Sequence, residues 1–273
     1  MNVSGIQLFG KYIAMLIKTE FQYRANAFFA SAGVFVRESV NVFVMVFLLV
    51  KFGNINGWVL NEMLFLYSLI FISYSLLVGL FAGVRDFPGM IQSGTLDTYL
   101  TRPMGILFQI ISSKADYCAF IGHGTVGVIL FLKATGNIGI VWNIPTILYY
   151  ASTILGGVLI QLSIWLFAAS LCIWIVKADA VVGFLFFNTR KFAGYPLSIF
   201  PAFIKAILIF VIPFAFVNYF PAQYFLRKPD MDIFWNGYMY LSPFVGVLFL
   251  SIMLIFWRFS LTHYSSTGTT RGA

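Results

Sequence analysis

Six long apolar runs constrain this chain before any motif does. They fall at about 27–50, 63–83, 105–132, 146–176, 202–220 and 240–257. A hydrocarbon layer about 30 Å thick takes about 20 apolar residues to cross as helix. Runs apolar on every face lack the alternation that membrane-barrel strands need. The expected fold is therefore an all-α integral membrane protein with six transmembrane helices. Only 10% of the 273 residues are charged and 60% are hydrophobic, against about 25% charged in a soluble domain. The chain lacks the polar surface to coat itself in water.

Ahead of the first run, residues 4–24 read differently. Ile6, Phe9, Ile13, Leu16, Ile17 and Phe21 recur at helical spacing, with Lys11 and Lys18 on another face. Too polar to span, this amphipathic helix is expected to lie in the interface plane. Its mixture of Lys11, Lys18, Glu20 and Arg24 with apolar positions is not that of a cleaved signal peptide.

Basic residues set the expected orientation. Twelve lie at one set of span ends: Lys11, Lys18, Arg24, Arg85, Arg102, Lys114, Lys177, Arg190, Lys191, Lys205, Arg258 and Arg271. Four lie at the other: Lys51, Lys133, Arg227 and Lys228. That bias puts both termini in the cytoplasm. The two short outer connections, Lys51-Phe-Gly-Asn-Ile and Lys133-Ala-Thr-Gly-Asn-Ile, both read as a helix end followed by Gly-Asn turn chemistry, with Trp58 and Trp142 as interfacial anchors. Three further segments stand out: a cytoplasmic loop at 84–104, a cytoplasmic amphipathic piece within 178–200, and an external excursion at 221–239 folded back onto the membrane.

Catalytic signatures are missing. The chain has no GxxxxGK[ST], no GxGxxG after a strand and no HExxH. No basic run with interleaved aromatics stands in a polar context, which argues against nucleic acid as a partner. Cys118 and Cys172 lie within apolar runs and read as buried free thiols rather than a disulfide or zinc site. His123, among Gly122, Gly124 and Gly127, fits helix packing or a proton relay. Arg37-Glu38 falls near the middle of the first span, where each charge costs about 2.5–3.5 kcal/mol on insertion scales. Helix neighbours point about 100° apart, so at least one of the pair is expected to meet another helix or subunit, as a polar clasp or a substrate contact. Gly79-Leu-Phe-Ala-Gly83 permits close helix approach. Pro213 predicts a kink in the fifth span.

The most specific stretch runs from Arg85 to Pro103. Gly94, Leu96, Asp97, Leu100, Arg102 and Pro103 resemble the G-x-L-D-x-x-L-x-R-P cytoplasmic segment of type-2 ABC exporter permeases, a poorly characterised bacterial family among them. Tyr195, Pro196, Phe200, Pro201, Pro213, Asn218, Pro221 and Ala222 are similar to a second run of that family. The two stretches cover about a fifth of the chain, and the six-span layout extends the likeness over nearly all of it. No large extracellular domain interrupts the spans, unlike in mechanotransmitter permeases.

The resemblance implies a second permease chain, identical or related, and two separate ABC ATPase subunits in a prokaryotic plasma membrane. ATP and Mg would be held by those ATPases, with no cofactor in this chain. The segment between spans two and three would be a coupling helix, with Arg85, Asp86, Met90, Leu96, Asp97, Leu100 and Arg102 as its contacts, and residues 221–239 would form a re-entrant hairpin. Apolar Met90, Ile91, Leu96 and Leu100, with charged points between Pro88 and Pro103, fit a docking surface independently; an interfacial helix resting on lipid fits them too. The implied function is ATP-driven export of an amphipathic or hydrophobic cargo. A stand-alone transporter or channel is the alternative, but it would want intramembrane carboxylates, and the spans offer mainly Glu38.

Overall fold

The computed structural model of the protein describes residues 5–175, 189–228 and 236–264. Apart from one isolated bridge between Ile55 and Trp58, its regular structure among those residues is helical. In chain order the helices are α1 (Gly5–Glu20), α2 (Arg24–Phe52), α3 (Leu60–Arg85), α4 (Phe87–Gln92), α5 (Thr95–Leu100), α6 (Ile106–Ser113), α7 (Tyr117–Ile138), α8 (Ile144–Leu171), α9 (Thr189–Ala193), α10 (Ala202–Ala206), α11 (Tyr219–Leu226) and α12 (Ser242–Thr262). Among the described residues five segments are long and apolar enough to cross a membrane, and a bent pair could be a sixth. The chain is a multi-pass membrane protein.

At the centre α3 packs on α7 and α8; α2 lies outside against α7, and α12 against α8. Small residues set the closest approaches. Gly156 and Gly246 face one another across the α8–α12 contact, where a Cβ on either would meet backbone at 2.8 Å. On the Gly79–Gly83 face, Phe120 fills the space at Gly79 and the Ile110 carbonyl that at Gly83. The motif thus docks α3 onto the third span and α6 of the same chain. Burial is uneven: 78% of the apolar window of α8 is covered, against 22% in α2 and 17% in α12.

The third span departs from the sequence reading, while the fifth bends where Pro213 predicts a kink. The third does not run through 105–132: it breaks at Lys114, whose backbone is extended (φ −152°, ψ 136°), and restarts as α7 at the Asp116 cap. Charged Lys114 and Asp116 cannot ride inside an apolar span at low cost, so the chain leaves the helix there. At its other end α7 passes Lys133, Gly136 and Asn137 and stops only at left-handed Gly139 (φ +72°). The Gly136-Asn137 turn is absent, while its counterpart at Gly53 (φ +79°) forms. The fifth span bends by 73° between Val211 and Phe214. A π-helical turn at Ile207–Val211 precedes Pro213, which has no N–H to give the preceding turn.

Trp58 is a core residue rather than an interfacial anchor. It is fully buried, stacked on Tyr219 at 5.5 Å and capped by the Lys228 ammonium 5.2 Å from its ring. Lys228 also donates to Glu62 Oε2 at 2.7 Å and to the Gly57 carbonyl. Of the 221–239 excursion, the two described flanks pack together: Tyr238 donates to Gln223 Oε1 at 2.6 Å, and Phe225 sits among Phe65, Tyr149 and Tyr150. Pro229, Asp230, Asp232 and Trp235 lie outside the described residues.

The 178–200 segment was expected at the cytoplasmic surface. Residues 178–188 lie outside the described residues, but the stretch from Ala193 to Leu197 packs into the bundle. Buried Asn218 donates to the Ala193 carbonyl at 2.7 Å, and Gly194 fits against the hydroxyl of Tyr67 on α3. Pro196 and Leu197 are buried. Only small or apolar residues follow Phe192 up to Pro196, apart from the Tyr195 hydroxyl, which suits this interior placement.

Candidate coupling site

The 84–104 segment is a pair of one-turn helices, α4 and α5, joined at Gly94. Gly94 has φ +68°, a left-handed conformation that a side chain would strain; this explains the glycine that opens the G-x-L-D motif. The segment is held by three other parts of the chain. Phe87 is fully buried and meets the α12 residue Trp257 edge-on at 4.9 Å. Tyr264, just past α12, donates to Asp97 Oδ1 at 3.0 Å. Its phenol is raised above the ordinary range, by burial and then by that hydrogen bond. Gln109 on α6 donates to the carbonyls of Tyr99 (3.0 Å) and Met104 (2.8 Å).

The sequence singles out seven residues of this segment, and the structure gives them four roles. Leu96 is fully buried in the core, so it anchors α5 and faces no partner. Arg85 and Asp86 lock the C-terminal end of α3 to the break in the third span: Arg85 pairs with Asp86 at 2.8 Å and with Asp116 at 3.3 Å, and Lys114 pairs with Asp86 at 2.5 Å. Asp97 points to Tyr264. Leu100, 45% exposed, exposed Arg102 and half-buried Met90 remain for an outside surface. Tyr99 joins them, with the Arg102 guanidinium 5.3 Å from its ring.

Several residues that build this site were not picked out as part of it. Glu20, the last residue of α1, accepts from the backbone N–H groups of Tyr117 (2.8 Å) and Cys118 (3.0 Å). Asp116 accepts from that of Ala119 at 2.9 Å. Three of the orphan donors at the start of α7 are thus met by carboxylates, which the helix dipole also favours. Asp116 before an apolar run carries an N-cap signal; Glu20 has no local signal at all. Phe9 on Phe108, 6.1 Å apart, adds an apolar contact between α1 and α6. The N-terminal helix, the α3 end and the start of α7 are therefore one connected unit.

The intramembrane pair behaves unlike the expectation that neighbours do not face one another. Arg37 Nε reaches Glu38 Oε1 at 3.1 Å, with Arg37 mostly exposed and Glu38 buried, and Asn41 donates to Glu38 at 3.3 Å. A long flexible arginine bends over its neighbour where the helix geometry alone would hold the two apart. His123 is enclosed by Phe71 (6.0 Å) and Tyr74 (4.6 Å), an aromatic packing site. Cys118 and Cys172 are buried free thiols. Among the described residues no three His, Cys, Asp or Glu gather as a metal site.

The described chain is thus a multi-span helical bundle whose 84–104 segment is braced against α6 and the end of α12. The sequence model described as ABC-2 family transporter protein matches residues 35–268, and the chain belongs to that family. No curated protein and no solved structure matches the chain.

Proposed function

We propose that this chain is the permease subunit of an ATP-driven exporter in a prokaryotic plasma membrane, of the poorly characterised group marked by the Gly94–Pro103 motif. It works with a second permease, identical or related, and with two separate ATPase subunits that hold ATP and Mg. Both termini lie in the cytoplasm, and the cargo is amphipathic or hydrophobic. The carrying observation is the exposed Leu100 and Arg102, with half-buried Met90 and Tyr99, on a segment tied to α3, α6 and the end of α12. A water-facing loop gains nothing from such bracing, whereas a docking lever requires it.

ATP binding to the partner shifts the transporter only through its different affinity for the two states. A push on Leu100 and Arg102 reaches α12 through Asp97–Tyr264 and Phe87–Trp257. It reaches α7 and α1 through Arg85, Asp116 and Glu20. Purification of the tagged chain from its native host in nanodiscs, with mass spectrometry of what accompanies it, tests this reading. A P-loop ATPase in about equal amount supports it and reveals any second permease; recovery of the chain alone would favour a stand-alone transporter.

A further inference from the structure

We infer that the exposed face of α2 is the surface on which a second copy of this chain packs, with Arg37 and Asn41 at the centre of the contact. The inference rests on the paired-permease reading and deepens it: it commits to an identical partner and names the surface.

Depth carries the argument. Arg37 lies 13 residues after Arg24 and 14 before Lys51 on one unbroken helix, about 20 Å along the axis from either charged end. A basic side chain near a span end reaches water by snorkelling; none does so from this depth. Yet the Arg37 side chain is 64% exposed. Its Nε donates to Glu38, and among the described residues its two Nη groups donate to nothing. Asn41, one turn on and also exposed, gives its amide N–H to Glu38 at 3.3 Å, while its side-chain carbonyl accepts from no described residue. Polar groups at this depth face protein or water rather than lipid.

The rest of the face suits a second helix. Asn26, Ala30 and Val44 project within about 40° of Arg37 at 100° per residue, as does Asn41, and all are exposed. Short side chains of this kind let helices approach closely. The exposed phenylalanines Phe29, Phe43 and Phe47 stand about 80–120° round the helix from Arg37, where lipid suits them. The other thinly covered span offers no such face. Between Phe244 and Ile255 the exposed residues of α12 are apolar except Ser251, whose hydroxyl donates to the Val247 carbonyl of its own helix. An identical partner fits because the α2 face complements itself: it has surplus donors on Arg37 and an acceptor on Asn41, as an isologous contact requires. Each Arg37 keeps Glu38 at 3.1 Å, so two copies meet as neutral pairs rather than bare cations.

The test is cysteine cross-linking of the full-length chain in native-host membranes, with Cys118 and Cys172 replaced by Ser. Ala30→Cys and Val44→Cys, each about two turns from Arg37, should give a disulfide-linked dimer of this chain on oxidation. Phe43→Cys, turned about 120° away, should not. Adding Arg37→Leu to Val44→Cys should slow dimer formation at least about tenfold, the scale of a lost charged hydrogen bond, while the chain still inserts and accumulates. Equal cross-linking from Phe43→Cys, a product joining the chain to a different permease, or an unchanged rate with Arg37→Leu would overturn the inference. So would reaction of Val44→Cys with a membrane-impermeant methanethiosulfonate in place of dimer formation, since the face would then line water. The readout is chain to chain. A dimer in membranes where no ATPase accompanies the chain would therefore count against the exporter reading alone, and an ATPase-bound chain that does not cross-link would count against this surface alone.

Discussion

The double variant Leu100→Asp, Arg102→Glu is expected to lose ATPase association by about 100-fold or more while the permease stays folded and inserted. Both side chains are exposed and make no core contact of consequence, so the fold is not at stake. Each inverts the character of a docking position, and central interface residues often contribute about 2 kcal/mol or more apiece. The readout is co-elution of the ATPase, beside the thermal unfolding of the permease. Leu96→Asp provides the contrast. Leu96 is fully buried, and an unpaired carboxylate there must be desolvated in an apolar core. That variant should fail to accumulate or unfold far earlier. Equal behaviour of the exposed and buried variants would refute the division of the segment into an anchor and a docking face.

A larger structural loss is expected from Gly83→Val. A Cβ at Gly83 would lie 1.9 Å from the Ile110 carbonyl oxygen, which is backbone and cannot swing aside. The Gly83 N–H also donates to the Lys114 carbonyl at 3.2 Å. Any side chain must push α6 off α3 and pull Lys114 and Asp116 away from Asp86 and Arg85. The cost should be about 3 kcal/mol or more, the upper end for overpacking, with loss of transport activity. Gly33→Ala on α2 is the control: nothing lies within 4 Å of a Cβ there, and alanine is the better helix former. It should be neutral or slightly stabilising in the same thermal assay.

The spans were legible because an apolar run of sufficient length has few other solutions in a bilayer. The bend at Pro213 was legible for an equally local reason, the missing N–H. The break at Lys114–Asp116 was not, although both charges were in view: the 105–132 run is apolar enough on average to hide a three-residue interruption. Leu96 and Leu100 could not be told apart from sequence. Helices of one turn have too few residues for periodicity to say which side faces inward. The Glu20 cap on α7 joins residues 97 positions apart, and no local pattern announces such a contact. The inward packing of Ala193 and Gly194 rests on contacts with Asn218 and Tyr67 that are distant in sequence, and no local pattern announces them either.

The most direct measurement of the central claim is cross-linking from the coupling face. A single cysteine placed by Leu100→Cys, with Cys118 and Cys172 replaced by Ser, is treated with a short thiol-to-amine cross-linker in native-host membranes. The account predicts a product joining this chain to a P-loop ATPase, altered in yield by ATP. An unlinked chain, from membranes in which that ATPase is present and other ABC complexes cross-link, would contradict it.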